Sequence, residues 1–460
     1  MNSRRRFMRQ AALAALGLSS PMTSITNLKA INMLMGRQPT FGDYKAIVCF
    51  FLHGGNDSFN MLMPRLGTEY NNYATTRSNL AIPQEDILAL GGLSGNYGVH
   101  PSMPKIQQLY EDGDLAFISN LGSLIAPMSK SAYYDGTVPK PLGLFSHLDQ
   151  YKHWQSAQPN LRTNKGWAGK MADLLASENG NTEISMNISL SGANILQRGD
   201  NSIAFNINSS GATLPTNRNA PWGHNPQRRA AMDSILNYNY SEIYKKTYVD
   251  IFRGAIATGE LFQNAIDEVP DFDVQFSDNN ISEGFEIIAK TIAARDTLDF
   301  SRQIFFIKYG GWDHHDGLLA GQAAKLGVVD NALSEFKVAL EEIGMLDNVT
   351  TIVISEFART LTSNGNGTDH AWGGNSIVMG GSVNGGEIYG EYPSLEIDND
   401  LYLGRGAIIP TTAADSVFSE LALWYGISPM DLLTVFPNLG NFHDVSSLSV
   451  DNLPIGFMDV

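Results

Sequence analysis

Three short apolar runs, each broken off by glycine or by charged residues, restrict what this chain can fold into. They are Ala46–Leu52, Arg302–Ile307 and Thr351–Ser355. Aromatic and β-branched residues dominate all three, so each reads as a buried strand. The segment just beyond each run is chemically loaded. After the second comes Lys308-Tyr-Gly-Gly-Trp-Asp-His-His-Asp316. Asp313 and His315 are two residues apart, so in an extended loop both side chains can reach one cation. A carboxylate with an imidazole suits zinc, manganese or iron better than calcium. A polar loop with a helix-capping Asp is the plainer reading. The first run leads into His53-Gly-Gly-Asn-Asp57, where two glycines permit a tight turn and Asp57 projects beyond the strand, as a ligand or as an Asx turn. The third ends in Glu356 and Arg359, and the glycine-rich loop Gly365–Gly374 then supplies Asp369 and His370. Open α/β sheets bind ligands beyond the carboxyl ends of their strands, so these groups are candidates for one site.

The N-terminus carries an address. Ser3-Arg-Arg-Arg-Phe-Met8 precedes the Ala-rich run Ala11–Leu18, which is too short to span a bilayer. Paired arginines before such a run match a twin-arginine export signal, here residues 1–30, and imply recognition by the twin-arginine machinery and a periplasmic or secreted protein. That route is associated with proteins that fold, often around a cofactor, before crossing. No later stretch is long and apolar enough to be a membrane span. Cys49 is the single cysteine, so no disulfide can form within the monomer, and its apolar neighbours suit a small buried hydrophobe. A net charge of −16 argues against nucleic acid as a partner and against anionic membrane surfaces.

Between the apolar runs, the pattern gives a helix near Met103–Asp112 and a strand over Gly113–Asn120. Leu144–Trp154 opens with Ser146, which either caps a helix or presents a hydroxyl; His147 and Tyr151 would share one face of that helix. Residues 190–225 read as short strands and loops. Helical periodicity covers Tyr244–Ala265, 282–296, Leu318–Met345 and Ala413–Tyr425, with strands at 349–355 and 376–380. Strands alternating with helices from residue 302 onward indicate an α/β layer architecture, and a single domain over 40–460 accommodates all of it.

The motifs Gly54-Gly-Asn-Asp57, His100-Pro101, Ser146-His147, Gly166-Trp167, Gly311-Trp-Asp-His-His315, Ser355-Glu-Phe-Ala-Arg-Thr360 and Gly367-Thr-Asp-His370, taken in order, resemble the bacterial family called domain of unknown function 1501. That family is grouped with the alkaline phosphatase and sulfatase superfamily. The resemblance implies an alkaline-phosphatase-like three-layer sandwich, a large and mostly parallel central sheet flanked by helices. It also implies a metal site at the sheet's carboxyl edge, with Asp57, Asp313, His315, Glu356 and His370 as ligands; His147, next to Ser146, is a further candidate that either orients that hydroxyl or binds metal. Two positions depart from the pattern: His314 stands where the family usually has Thr, and Glu356-Phe357 replaces an Asp-His pair common in the superfamily. The second departure narrows the case for a full second metal. The expectation is a periplasmic hydrolase of phosphate or sulfate esters using one or two divalent ions, zinc or manganese. Its substrate would be a small anionic ester, and Ser146 or a water on the metal would attack. Arg359 either clamps the substrate's oxygens or pairs with a neighbouring acid. The alternatives are a non-catalytic metal-binding envelope protein and a metal-dependent redox protein. A blue-copper site is disfavoured, because no Cys or Met cluster lies beside the histidines.

Overall fold

The computed structural model describes residues 41–92 and 95–459, so the export signal expected at 1–30 lies outside the described residues. Ten strands make one sheet. Lys45–His53 lies in its middle, paired in parallel with Arg302–Gly310 on one side and Val349–Ser355 on the other. Beyond Arg302–Gly310 come Asn187–Ser189 and Phe205–Asn208, both parallel, and then the antiparallel Gly211–Ala212. Beyond Val349–Ser355, Gly374–Met379 runs antiparallel, and Leu115–Gly122 restores the original direction. Ile388–Tyr389 and Thr412–Ala413 both add to Leu115–Gly122 in parallel.

Central strands of such a sheet are covered on both faces, which is why they read as continuous apolar runs rather than alternating ones. Successive side chains still point to opposite faces. Phe50 meets Phe285 of the helix Asn280–Ala293 edge-on, with ring centroids 5.2 Å apart. Its neighbour Phe51 meets Tyr151 of the helix His147–Ser156 on the other face at 4.9 Å. Phe285 in turn packs on Phe336 of the helix Leu318–Glu342 at 5.0 Å. Trp167, at the start of the helix Trp167–Leu174, stacks on Phe418 of the helix Ala414–Tyr425 at 4.8 Å. Each such ring contributes roughly 1.5–3 kcal/mol by burial, and each pair about 0.5–1.5 kcal/mol more. This is the three-layer, mostly parallel α/β arrangement that the alkaline phosphatase resemblance implies. Cys49 is fully buried and unpaired in its centre.

Local rules set the element ends. Asn279 caps its helix by accepting from the Ile281 and Ser282 amides. The strand expected over Gly113–Asn120 instead occupies Leu115–Gly122, its start set by the turn in which Gly113 sits at φ 83°. Likewise, the helix expected to reach Met345 stops at Glu342, ahead of Gly344 at φ 64°. Among the described residues, no helix is long and apolar enough to cross a membrane.

Candidate metal centre

Parallel pairing makes the three central strands end level: Leu52 lies opposite both Tyr309 and Ser355, and His53 opposite Gly310. The loops beyond them therefore leave the sheet side by side. They pass so closely that a Cβ on Gly54 would lie 2.6 Å from the backbone nitrogens of Trp312 and Asp313, and Gly54 also adopts φ 128°. Only glycine fits there. Helix His147–Ser156 begins above this edge and delivers His147 to it.

Asp313 is the hub. Its Oδ1 lies 3.3 Å from His147 Nε2, 3.1 Å from His315 Nε2 and 3.4 Å from His370 Nε2. His315 Nε2 and His370 Nε2 are 3.1 Å apart. Ligand atoms around a tetrahedral ion with bonds of ~2.0 Å are separated by about 3.3 Å, so these spacings suit donors that share a cation. His147, Asp313 and His370 have ligand atoms that all lie within 4.8 Å of one another, with His315 beside them on Asp313 and His370.

The far nitrogens strengthen the case. His147 Nδ1 is held by Glu356 Oε1 at 2.8 Å, and His370 Nδ1 by the Phe145 carbonyl at 2.7 Å. His315 Nδ1 lies 3.3 Å from Asp369 Oδ1. Fixing Nδ1–H in this way turns the Nε2 lone pair toward the cluster, as partners of metal-bound histidines do. His147 Nε2 is buried and has no hydrogen-bond partner. The residues therefore fit a divalent cation that takes nitrogen and oxygen ligands. Charge state is divided: the Glu356 hydrogen bond raises His147 and favours its protonated ring, whereas Asp313 and His370 shift in the directions a cation site needs. Burial would raise the Asp313 carboxyl, but Arg359, His147 and His315 hold it below the usual range. Burial lowers His370, aided by the charges of His147 and Arg359, which favours the neutral ring a metal needs.

Three of the expected site residues have other duties. Glu356 is not a ligand at this cluster. Its fully buried carboxylate takes His147 Nδ1, the Gly54 amide at 2.8 Å and, at 3.3 Å, His53 Nδ1. Burial would raise its pKa, yet the His147 and His53 contacts bring it down to about 2, so it is a fixed negative charge that orients rings. Arg359 is turned inward. Fully buried, it donates to the carbonyls of Gly54, Gly55 and Thr368 and pairs with Asp313 Oδ1. Asp57 also stands apart from the cluster, fully buried and paired with Arg77, which in turn holds Asn60 and the carbonyls of Thr360 and Leu361. Ser146 caps its helix, accepting from the Asp149 amide at 3.5 Å, and sits between the residue that holds His370 and the proposed ligand His147. His53 had no role assigned from the sequence, and Asp369 was a candidate for the site with no particular duty. The level strand ends point to the first, and its place beside His370 points to the second.

A mostly parallel α/β sheet whose carboxyl edge gathers three imidazoles and a carboxylate defines a three-layer α/β protein with a candidate metal centre. The chain belongs to the family described as protein of unknown function (DUF1501), which matches residues 44–401. Solved structures to which it is similar include Ps i-CgsB in complex with k-i-k-neocarrahexaose, at 12% identity over 87% of this chain and 77% of that one, TM-score 0.34. Others are the PsFucS1 sulfatase from Pseudoalteromonas sp., at 11% identity over 82% and 70%, TM-score 0.29, and the lipoteichoic acid synthase LtaP from Listeria monocytogenes, at 10% over 83% and 80%, TM-score 0.27. No relative among curated proteins matches the sequence.

Proposed function

We propose that this chain is an exported, metal-dependent hydrolase of phosphate or sulfate esters. The observation that carries the reading is the set of imidazoles with Nδ1 held and Nε2 turned toward the Asp313 hub. His147, Asp313 and His370 would hold the ion, with His315 completing the set or serving a second ion. A divalent ion there would supply Lewis-acid chemistry, polarising an anionic ester and lowering the pKa of a nearby hydroxyl.

Ser146 is the hydroxyl we assign as nucleophile. The turn that presents it is closed by its amide on the Gly143 carbonyl at 2.8 Å, with Phe145 in the left-handed region at φ 74°. A bulky residue held there is strained, and such strain gathers at functional sites. The Phe145 carbonyl fixes His370, so one turn sets the attacking group and a ligand together. Arg359 neutralises Asp313 and ties the three strand-end loops into one body, which keeps the donors in place. A twin-arginine route suits this reading, since the site can be loaded before export.

The test is a panel of phosphate and sulfate monoesters, assayed with purified protein before and after chelation and metal restoration, alongside Ser146→Ala. Metal-dependent turnover that Ser146→Ala abolishes, with metal content unchanged, is the expected result. Turnover unaffected by chelation would overturn the metal role, and full activity in folded Ser146→Ala would exclude the nucleophile.

A further inference from the structure

With Arg359 locked inside, the cationic handle for an anionic substrate has to come from elsewhere, and the loop after Leu403 presents one. Arg405 lies beyond the stretch that matches the family. Its side chain is 73% exposed, yet its guanidinium is anchored at the cluster through Asp369 Oδ2, while Asp369 Oδ1 faces His315 Nδ1. Through that chain the guanidinium stands two side chains from the Asp313 hub. Among the described residues its side chain makes one hydrogen bond, from Nη2 to Asp369, so the rest of the planar donor fork is open to solvent at the rim.

The backbone supplies a second, independent observation. Arg405 sits at φ 69°, ψ 11°, a conformation glycine adopts freely and arginine does not. Surrounding bonds enforce it: Thr362 Oγ1 donates to the Arg405 carbonyl at 2.5 Å, and the Leu361 amide to the Gly406 carbonyl at 2.9 Å. A strained, non-glycine residue held by its neighbours beside a ligand cluster is where side-chain function outweighs backbone comfort. The adjoining Gly404 and Gly406 show that this loop admits glycine on either side of the arginine.

We propose that Arg405 is the substrate-anion-binding residue of this site, taking tetrahedral oxyanions of the phosphate or sulfate class with the donors that Asp369 leaves free. This rests on the reading of the centre as an ester hydrolase and adds the group that recognises the charge. Arginine's fork matches two oxygens of such an anion, and the fixed Asp369 contact aims it without consuming it. The net charge of −16 makes the need sharper, since an anionic ester approaches this molecule against its overall field.

The experiment measures binding of inorganic phosphate and inorganic sulfate to the full mature protein by calorimetry, with metal content read in parallel by elemental analysis. Arg405→Gly removes the guanidinium and relaxes the backbone, so the loop survives; Arg405→Lys keeps the charge without the fork. The expected result is a Kd at least tenfold weaker in Arg405→Gly with metal content unchanged, partly restored in Arg405→Lys. Wild-type affinity in Arg405→Gly overturns the proposal. Loss of metal in Arg405→Gly also overturns it, because the arginine would then act through Asp369 and His315 as a positioning residue. A wild-type protein that holds no metal yet binds phosphate through Arg405 would sink the hydrolase reading and leave the anion site standing.

Discussion

At the carboxyl end of the strand Val349–Ser355, the next residue is a carboxylate with no exposed surface that faces two imidazole nitrogens and one amide. Glu356 thereby sets the tautomer of His147. Replacing it with Gln keeps the shape but removes the charge that favours Nδ1–H, so Glu356→Gln should weaken metal affinity by about 10–100-fold, as read by titration with a competing chelator. An unchanged affinity would show that His147 is oriented by something else. Asp313 and His315 were legible in the sequence because two residues of loop suffice to bring them together. The inward setting of Arg359 was not, because it depends on three carbonyls from Gly54, Gly55 and Thr368 converging on one buried guanidinium. Of its two expected roles, pairing with a neighbouring acid is the one the fold selects. Asp415 gives a separate, pH-dependent test. Burial pushes it up to about 8, against the opposing charge of Lys170. The folded form thus keeps a proton that the unfolded form releases near the ordinary value of 3.8, and stability falls as pH rises from about 4 through 8. Asp415→Asn should flatten that slope, raising Tm at pH 8 relative to wild type more than at pH 5. Equal shifts at both values would contradict the assignment.

Elements were readable where local chemistry alone decides them. The apolar run at 349–355 is the strand Val349–Ser355, and the helix expected over Ala413–Tyr425 spans Ala414–Tyr425. Glycines in left-handed turns moved other ends, as at Gly113 and Gly344. What no periodicity reveals is register. It is the pairing of Leu52 with both Tyr309 and Ser355 that brings three loops to one height and makes a site from residues hundreds of positions apart. The helix His147–Ser156 has two duties at its start, a cap and the delivery of His147. Loss of the Ser146 cap should cost only about 1 kcal/mol, because the 3.5 Å bond is long and the helix is packed by Trp154 and Tyr151. Denaturant unfolding of Ser146→Ala checks this: a loss of several kcal/mol would make Ser146 a structural residue first and weaken its assignment as nucleophile.

On the scale of the whole molecule, one mostly parallel sheet, covered on both faces, holds a candidate metal centre at its carboxyl edge. The export we propose would place this centre outside the cytoplasm. Replacing Arg4 and Arg5 together by Lys should leave unprocessed protein in the cytoplasm, as seen by fractionation and immunoblotting; normal export of that variant would remove the twin-arginine assignment. The proposed hydrolysis requires the cluster to hold an ion. The most direct test is elemental analysis of protein purified without chelating resins, wild type beside Asp313→Ala and His370→Ala, with circular dichroism to establish that the variants fold. One or two equivalents of zinc or manganese per wild-type chain, and a loss of most of it in each folded variant, is the predicted result. Full metal content in both variants, or none in the wild type, would contradict it.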